Sequence, residues 1–372
     1  MRALLDVSAV PDRPVGAGVY TIAIARGLDA DPAVELHVSA RRDDEERWRT
    51  LTPNATVHAV APPRRPARLA WEQVGAPKLA SRIGPDVWHG PHYTLPLRID
   101  VPTVVTVHDL TFFDHPEWHE RSKVLFFRRM IRAAVARADI VICVSNYTAA
   151  RLRAHCDPRG EVVVVPHGVD HERFAPATDP AADLDALVVH GIAPPYVAFS
   201  GTIEPRKDVP TLVRAFAGVA PEAPGLRLVV AGGDGWGAQK ARDAIAASGV
   251  ATRVLRPGYL DNATIAALFR EAAVVAYASL EEGFGLPALE AMASGAPLVS
   301  TRGSAVEEVV GDAALLVEPG DVDGLRTALA KVLHDDAVAN KLRAAGPARA
   351  ATYTWARSVA GHLDAYRHAT ER

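Results

Sequence analysis

Apolar residues along the chain fall into short continuous runs, separated by longer stretches in which they recur every three or four places. Short runs rich in Val, Ile and Leu predict strands, and the longer period predicts amphipathic helices. In the first half the strands are predicted at residues 3–7, 34–39, 56–60, 86–88, 103–107, 140–144 and 162–165. Thr103-Val104-Val105-Thr106-Val107 has almost no polar interruption, as expected of a strand buried on both faces in a parallel sheet. The intervening segments are mostly long enough for right-handed crossover helices. Strand-like runs resume at 197–200, 226–231, 252–255, 274–277, 298–300 and 314–317, with helical patterns at 208–219 and 263–272. The pattern predicts an α/β protein with two tandem units, each a doubly wound parallel sheet.

Between the halves, residues 171–195 hold Pro176, Pro180, Pro194 and Pro195 among Ala and Asp, the composition of a linker. The expected division is a first domain over 1–172, a linker over 173–189 and a second domain over 190–354. The last stretch, 355–367, sets Trp355, Val359, Leu363 and Tyr366 on one helical face. A helix over 355–372 is expected to cross back to the first domain. Two such units facing each other leave a deep cleft, and ligands of open α/β sheets bind beyond the carboxyl ends of the strands.

Composition narrows the class. The length of 372 residues suits two domains with proper cores. Lys and Arg number 41 and Asp and Glu 44, a net charge of −3, which argues against nucleic acid as the main partner. Cys143 and Cys156 are too few for a disulfide framework or a four-ligand zinc site and fit a reducing compartment. No run reaches the roughly 18 to 20 apolar residues needed to span a bilayer. Asp6 ends the opening run Met1-Arg2-Ala3-Leu4-Leu5 before a signal-peptide core can form. The expectation is a cytoplasmic protein.

The strongest local chemistry lies in Ser200-Gly201-Thr202-Ile203-Glu204-Pro205-Arg206-Lys207-Asp208, between a strand and a helix. Gly201 permits a tight turn. A planar Arg206 fork beside a Lys207 point charge suits a diphosphate. The plainer alternative is a helix start capped by Asp208 with Pro210 in the first turn, and both can hold together. A second signal is the stretch from Glu281 to Gly295, in which Gly283, Phe284, Gly285 and Leu286 feed a helix whose first position fits Pro287 and whose end fits Gly295. Amides at that terminus attract anions. Glu282 and Glu290 repel phosphate but can accept hydrogen bonds from sugar hydroxyls.

Weaker candidates follow. His108, in Val107-His108-Asp109-Leu110, ends the buried strand and can meet a substrate hydroxyl or act as acid or base, although taken alone a structural histidine is the better reading. His89 and His92 share that ambiguity. Gly16 and Gly18 follow the first strand, but Thr21 stands where the third glycine of G-x-G-x-x-G belongs, which removes the support for a dehydrogenase. Gly232-Gly233-Asp234-Gly235 offers amides to phosphate or sugar, or is a plain loop. Asp183-Leu184-Asp185 and Asp321-Val322-Asp323 have the spacing of a metal-bridging triplet but read as structural. The stretch 121–132 is basic and aromatic-bearing, with further arginines at 64, 65 and 68. Such a helix can touch anionic lipid, and more often has a solvated basic face.

Taken together these motifs resemble glycosyltransferase family 4, retaining enzymes of the GT-B fold, over nearly the whole length. Glu282 to Gly295 resembles the family's E-x7-E motif and residues 201–207 its donor-phosphate loop. Pro166-His167-Gly168-Val169-Asp170 is similar to its P-N-G-V-D, with His167 for Asn. Val144-Ser145-Asn146-Tyr147-Thr148 and Gly311-Asp312-Ala313-Ala314 also fit. Ala278 departs from the usual Pro. The resemblance implies that Arg206 and Lys207 bind the donor diphosphate and Glu290 the ribose. It implies that Glu282 and the amides around Phe284 and Gly285 hold the transferred sugar, that His108 lies near that sugar, and that Gly16 and Gly18 lie near phosphates and acceptor. It also implies no bound metal and no cofactor besides a nucleoside-diphosphate sugar, GDP-mannose or a UDP-sugar. GDP-mannose is favoured, because the motifs around His108 and Gly201 are similar to those of bacterial mannosyltransferases. A glycan or lipid-linked acceptor is expected, with peripheral contact at the inner face of an anionic membrane. The alternatives are another GT-B enzyme, an epimerase or phosphorylase, and a non-catalytic nucleotide-sugar-binding module.

Overall fold

The computed structural model describes all 372 residues. The chain divides into two compact units. Met1–Pro116, Glu120–Gly168 and Trp355–Arg372 form the first, and Glu117–His119 with Val169–Thr354 the second.

The first unit is built on seven strands: β1 (Arg2–Asp6), β2 (Glu35–Arg41), β3 (Thr56–Ala61), β4 (Val87–Gly90), β5 (Thr103–Val107), β6 (Ile140–Cys143) and β7 (Glu161–Val164). All pairs are parallel, in the order β3-β2-β1-β4-β5-β6-β7. Every residue of β5 is buried, Thr103 and Thr106 included, as expected of a run with little polar interruption. Successive strand side chains point to opposite faces. Val104 accordingly joins a core with Leu5, Tyr20, Ile24, Val38 and Trp48, whereas Val105 and Val107 join another with Leu110, Ile131 and Val141.

The helix Trp355–Thr370 belongs to this unit. Val359, Ala365, Tyr366 and Ala369 enter the Tyr20 core, with Trp355 and Leu363 packed at its margin. A polar chain runs through the same interface. Tyr20 Oη lies 2.7 Å from His362 Nε2 and 2.8 Å from Thr106 Oγ1. His89 spans Thr106 Oγ1 at 2.8 Å and Tyr366 Oη at 2.7 Å.

The second unit contains β8 (Tyr196–Ser200), β9 (Arg227–Ala231), β10 (Val254–Gly258), β11 (Val274–Tyr277), β12 (Leu298–Thr301) and β13 (Leu315–Val317). They pair in parallel in the order β10-β9-β8-β11-β12-β13. Strand order reverses between β8 and β11, and the crevice at such a reversal is where doubly wound sheets bind ligands. Phe199, Leu212, Phe216, Leu228, Ala276 and Leu329 are among the residues that fill the core.

One expectation is corrected here. Residues 180–188, inside the stretch read as linker, form the helix Pro180–Val188 and belong to the second unit. Pro180 occupies the first turn, where its missing N–H is no loss, and Asp179 caps the helix by accepting from Ala182 N. Asp183 of the first Asp-x-Asp triplet is paired with Arg270. Asp321 of the second caps the helix Val322–His334 through Gly324 N at 2.9 Å. No helix is long and apolar enough to cross a membrane.

Candidate active site

The loop after β8 and the loop after β11 meet at the strand-order reversal of the second unit. Pro205–Lys207 makes one turn of 3-10 helix, and Asp208, at φ 43°, then caps the helix Val209–Val219 by accepting from Thr211 N. The cap reading of Asp208 holds, and it is this turn that aims Arg206 and Lys207 across to the β11 loop.

Both cations converge on one carboxylate. Lys207 Nζ donates to Glu282 Oε1 at 2.6 Å, and Arg206 Nη1 donates to Glu282 Oε2. Arg206 also donates to Glu204 Oε1 at 2.8 Å and to the Glu281 carbonyl at 3.4 Å. Lys207 donates further to Tyr277 Oη at 2.6 Å, and its Nζ stands 4.7 Å from the centre of the Tyr277 ring. The centre of the cluster is buried, with Lys207 6% exposed and Glu282 5%, while Arg206 and Glu204 at its edge are half-buried. Burial alone would push the Glu282 carboxyl up, but the charges of Arg206 and Lys207 overturn this and hold it at about 2. Burial pulls the Lys207 ammonium below its ordinary value, against the opposing pull of Glu282.

Two backbone features hold this arrangement. Gly285, at φ 99°, begins the helix Leu286–Ala293, with Pro287 in its second rather than first position. Gly232, at φ 136°, lets its chain touch the backbone of the loop bearing Arg206 and Lys207, since a Cβ there would lie 2.0 Å from Gly201 O. Ile203 N donates to Gly233 O at 2.9 Å and Gly235 N to Ile203 O at 3.0 Å. The glycine run 232–235 thus braces the Arg206–Lys207 loop. Glu290, half-buried on the same short helix, is pushed up to about 8 by burial, with Arg173 opposing and Asp170 adding to the rise.

In the first unit Gly16, at φ 48°, starts the helix Ala17–Asp29, and Gly18 packs on Pro14 and Pro11. His108 is 8% exposed and its Nε2 lies 2.7 Å from Pro91 O. A carbonyl only accepts, so Nε2 carries the proton and Nδ1 keeps its lone pair. Burial lowers the His108 pKa and keeps the ring neutral. The Tyr20 ring stands edge-on to it at 4.9 Å. His89 is a core histidine with both nitrogens satisfied. The half-buried His92 is also held neutral, at about 3, and its Nε2 has no hydrogen-bond partner.

The sequence motif includes Glu204 without giving it a role, and the pattern marks Tyr277 only as the end of a strand. Glu204 sits two residues before Arg206, a spacing that would have exposed the pairing. Tyr277 ends a run that reads as buried strand, and its only signal is a hydroxyl at the carboxyl end of that strand.

Residues 14–173 match the family described as Glycosyltransferase Family 4 and residues 189–349 match Glycosyl transferases group 1. A D-inositol 3-phosphate glycosyltransferase of Stackebrandtia nassauensis is 32% identical, over 96% of this chain and 87% of its own. The O-antigen chain mannosyltransferase B of Escherichia coli is 29% identical over 76% of this chain and 74% of its own. Among solved structures, sucrose-phosphate synthase from Thermosynechococcus elongatus superposes with a TM-score of 0.81 at 22% identity, covering 98% of both chains. HepE of Anabaena, solved with UDP-glucose, gives 0.78 at 20% identity, covering 98% of this chain and 99% of its own. The chain therefore belongs to the family 4 glycosyltransferases of GT-B fold and is a nucleotide-sugar-dependent transferase.

Proposed function

We propose that this chain is a retaining hexosyltransferase in which Arg206 and Lys207 bind the diphosphate of the donor and Glu282 holds the transferred sugar. The observation that carries the reading is the convergence of two cations on one dry carboxylate at the strand-order reversal. Transfer breaks the bond between the anomeric carbon and the diphosphate oxygen and joins that carbon to an acceptor hydroxyl oxygen on the same face, the acceptor's proton passing to the departing diphosphate oxygen. Negative charge grows on the departing diphosphate, and preorganised cations in a water-poor site stabilise growing charge most. Glu282 and the amides around Gly283, Phe284, Gly285 and Leu286 would accept from and donate to sugar hydroxyls. Glu290 would bind the ribose. His108 would accept a substrate hydroxyl through Nδ1, because its other nitrogen is committed to Pro91. Gly16 and Gly18 would let backbone approach phosphate or acceptor.

The donor is proposed to be GDP-mannose, supported by the similarity to a mannosyltransferase, with a UDP-sugar as the competing choice. The acceptor is proposed to be a glycan or lipid-linked sugar. The helix Arg121–Val135 supports contact with an anionic membrane: its buried residues are confined to Ile131, Ala134 and Val135, and Leu125 is 76% exposed. Thermal stabilisation by UDP and GDP, followed by transfer assays with UDP-glucose and GDP-mannose and NMR of the new anomeric centre, tests the reading. Stabilisation by neither nucleotide, or an inverted product, overturns it.

A further inference from the structure

Lys207 has two partners of different kinds. Glu282 is charged and has other work in the proposed reaction, because its oxygens are the ones expected to meet sugar hydroxyls. A donor diphosphate would enter as a rival anion for the same ammonium. Tyr277 is neutral and fixed. It is the last residue of β11, in register with Ser300 of β12, and Ser300 Oγ donates to its carbonyl at 3.0 Å. The side chain is 1% exposed. Burial, with the Glu282 charge beside it, pushes the phenol pKa well up, so the oxygen stays protonated and uncharged. Glu282 can change partners, whereas Tyr277 keeps the same oxygen and the same ring face toward Nζ.

We infer that Tyr277 is a positioning residue of the transfer reaction: its phenol oxygen, 2.6 Å from Lys207 Nζ, and its ring face hold the ammonium on target while Glu282 exchanges that ammonium for substrate hydroxyls. The inference rests on Lys207 being a diphosphate ligand. A tyrosine serving only as core filler needs no hydroxyl at this point, since the ring alone fills the volume. Here the hydroxyl meets the one ammonium buried at the head of the β8 loop.

Tyr277→Phe removes the acceptor and keeps the ring. Losing a hydrogen bond to a charged group predicts a fall in kcat of about ten- to a hundredfold. KM for the nucleotide sugar should change little, because the defect lies in aim rather than in total charge. The acceptor also stabilises the charged ammonium, so the alkaline limb of the kcat/KM profile should move to lower pH. Tyr277→Leu, a second variant checked for folding by its melting temperature, should give the same split with a larger pH displacement, since it also loses the ring face. In a Lys207→Ala background the Phe substitution should cost clearly less than in the parent, because the two changes share one interaction and only the phenol's contacts with Glu282 and Ser279 remain to be lost. Wild-type kcat and pH profile in Tyr277→Phe overturn the inference, as does an equal further loss in the Lys207→Ala background, which marks a structural role. The parent reading fails separately: Lys207→Ala that retains full UDP and GDP binding and turnover removes Lys207 from the diphosphate site, whatever Tyr277 does.

Discussion

Glu282 is shared by the buried Lys207 and the half-buried Arg206, so local stability turns on it, and in the proposed reaction binding does too. Its folded pKa of about 2 lies below the ordinary 4.5, so it stabilises the fold above pH 4.5, and that contribution is lost as pH falls through 4.5 toward 2. Removing one partner from a buried pair typically costs about 3–5 kcal/mol, because the remaining charge is stranded. Glu282→Gln should therefore lower the melting temperature, and UDP or GDP should stabilise it more than they stabilise the parent, since the diphosphate replaces the lost anion. Equal nucleotide shifts in both proteins, measured by differential scanning fluorimetry, would contradict this. Lys207→Ala should lower turnover by about 10²–10³, the usual effect of deleting one donor to a developing anion. Glu290 behaves oppositely. With a folded pKa of about 8 its carboxyl is protonated at neutral pH in the empty site. A ribose diol donates to a carboxylate, so binding should release a proton, and affinity for a nucleotide sugar should rise with pH up to about 8. Calorimetry with GDP-mannose or UDP-glucose between pH 6.5 and 8.5 reads this slope, and Glu290→Gln should abolish it.

At the scale of elements, the glycine run after β9 is a brace, and a brace can be tested without touching a functional side chain. A Cβ on Gly232 would sit 2.0 Å from Gly201 O, a backbone atom that moves only with the loop bearing Arg206 and Lys207. Its φ of 136° adds strain for any L side chain. Gly232→Ala should weaken UDP and GDP binding by more than its melting temperature falls in proportion, whereas Gly249→Ala, with open space around its Cβ and a left-handed φ of 73°, should lower stability without disturbing binding. Most elements were legible in advance for a simple reason. β5, β6 and β11 are buried on both faces and, apart from two threonines in β5 and the terminal Tyr277, are apolar, so composition marks them. The helix Pro180–Val188 was not legible, because its proline signals a break and a helix start equally well and only packing separates the two. Glu282 and Lys207 could be listed as candidates from their loops. Their pairing was not readable, since it depends on β8 and β11 lying side by side, a topological fact 75 residues apart in sequence. Tyr277 was invisible for a related reason: at a strand end, tyrosine patterns like any core aromatic.

Across the whole molecule the buried titratable groups are divided unevenly, and acid should separate the two units. In the first unit burial lowers the pKa of His89, His92, His108, His167 and His362, with His92 at about 3 and His362 at about 4. A histidine whose folded pKa lies below 6.5 takes up its proton more readily when unfolded, so stability falls as pH drops from 6.5 toward 4. Glu72 in the same unit opposes this, since at about 8 it binds its proton more tightly when folded, and Asp6 acts in the same direction. Two carboxyls do not balance five imidazoles. No histidine of the second unit is fully buried, and there Glu290 gains stability over the same window, while Glu282 loses its contribution only below pH 4.5. Between pH 6.5 and 4.5 the first unit should therefore weaken while the second holds. The helix Trp355–Thr370 reports on it directly, because His362 and Tyr366 tie that helix to Tyr20 and His89. Hydrogen exchange corrected for intrinsic rate should show the amides of 355–370 and of β4–β5 losing protection at pH 5 while those of β8 and β11 retain it. His362→Gln, which keeps a side-chain hydrogen-bonding group but cannot take up this proton, should shift the loss to lower pH. If the strands around Lys207 lose protection first, or His362→Gln leaves the midpoint unmoved, the histidine cluster is not what limits the fold in acid.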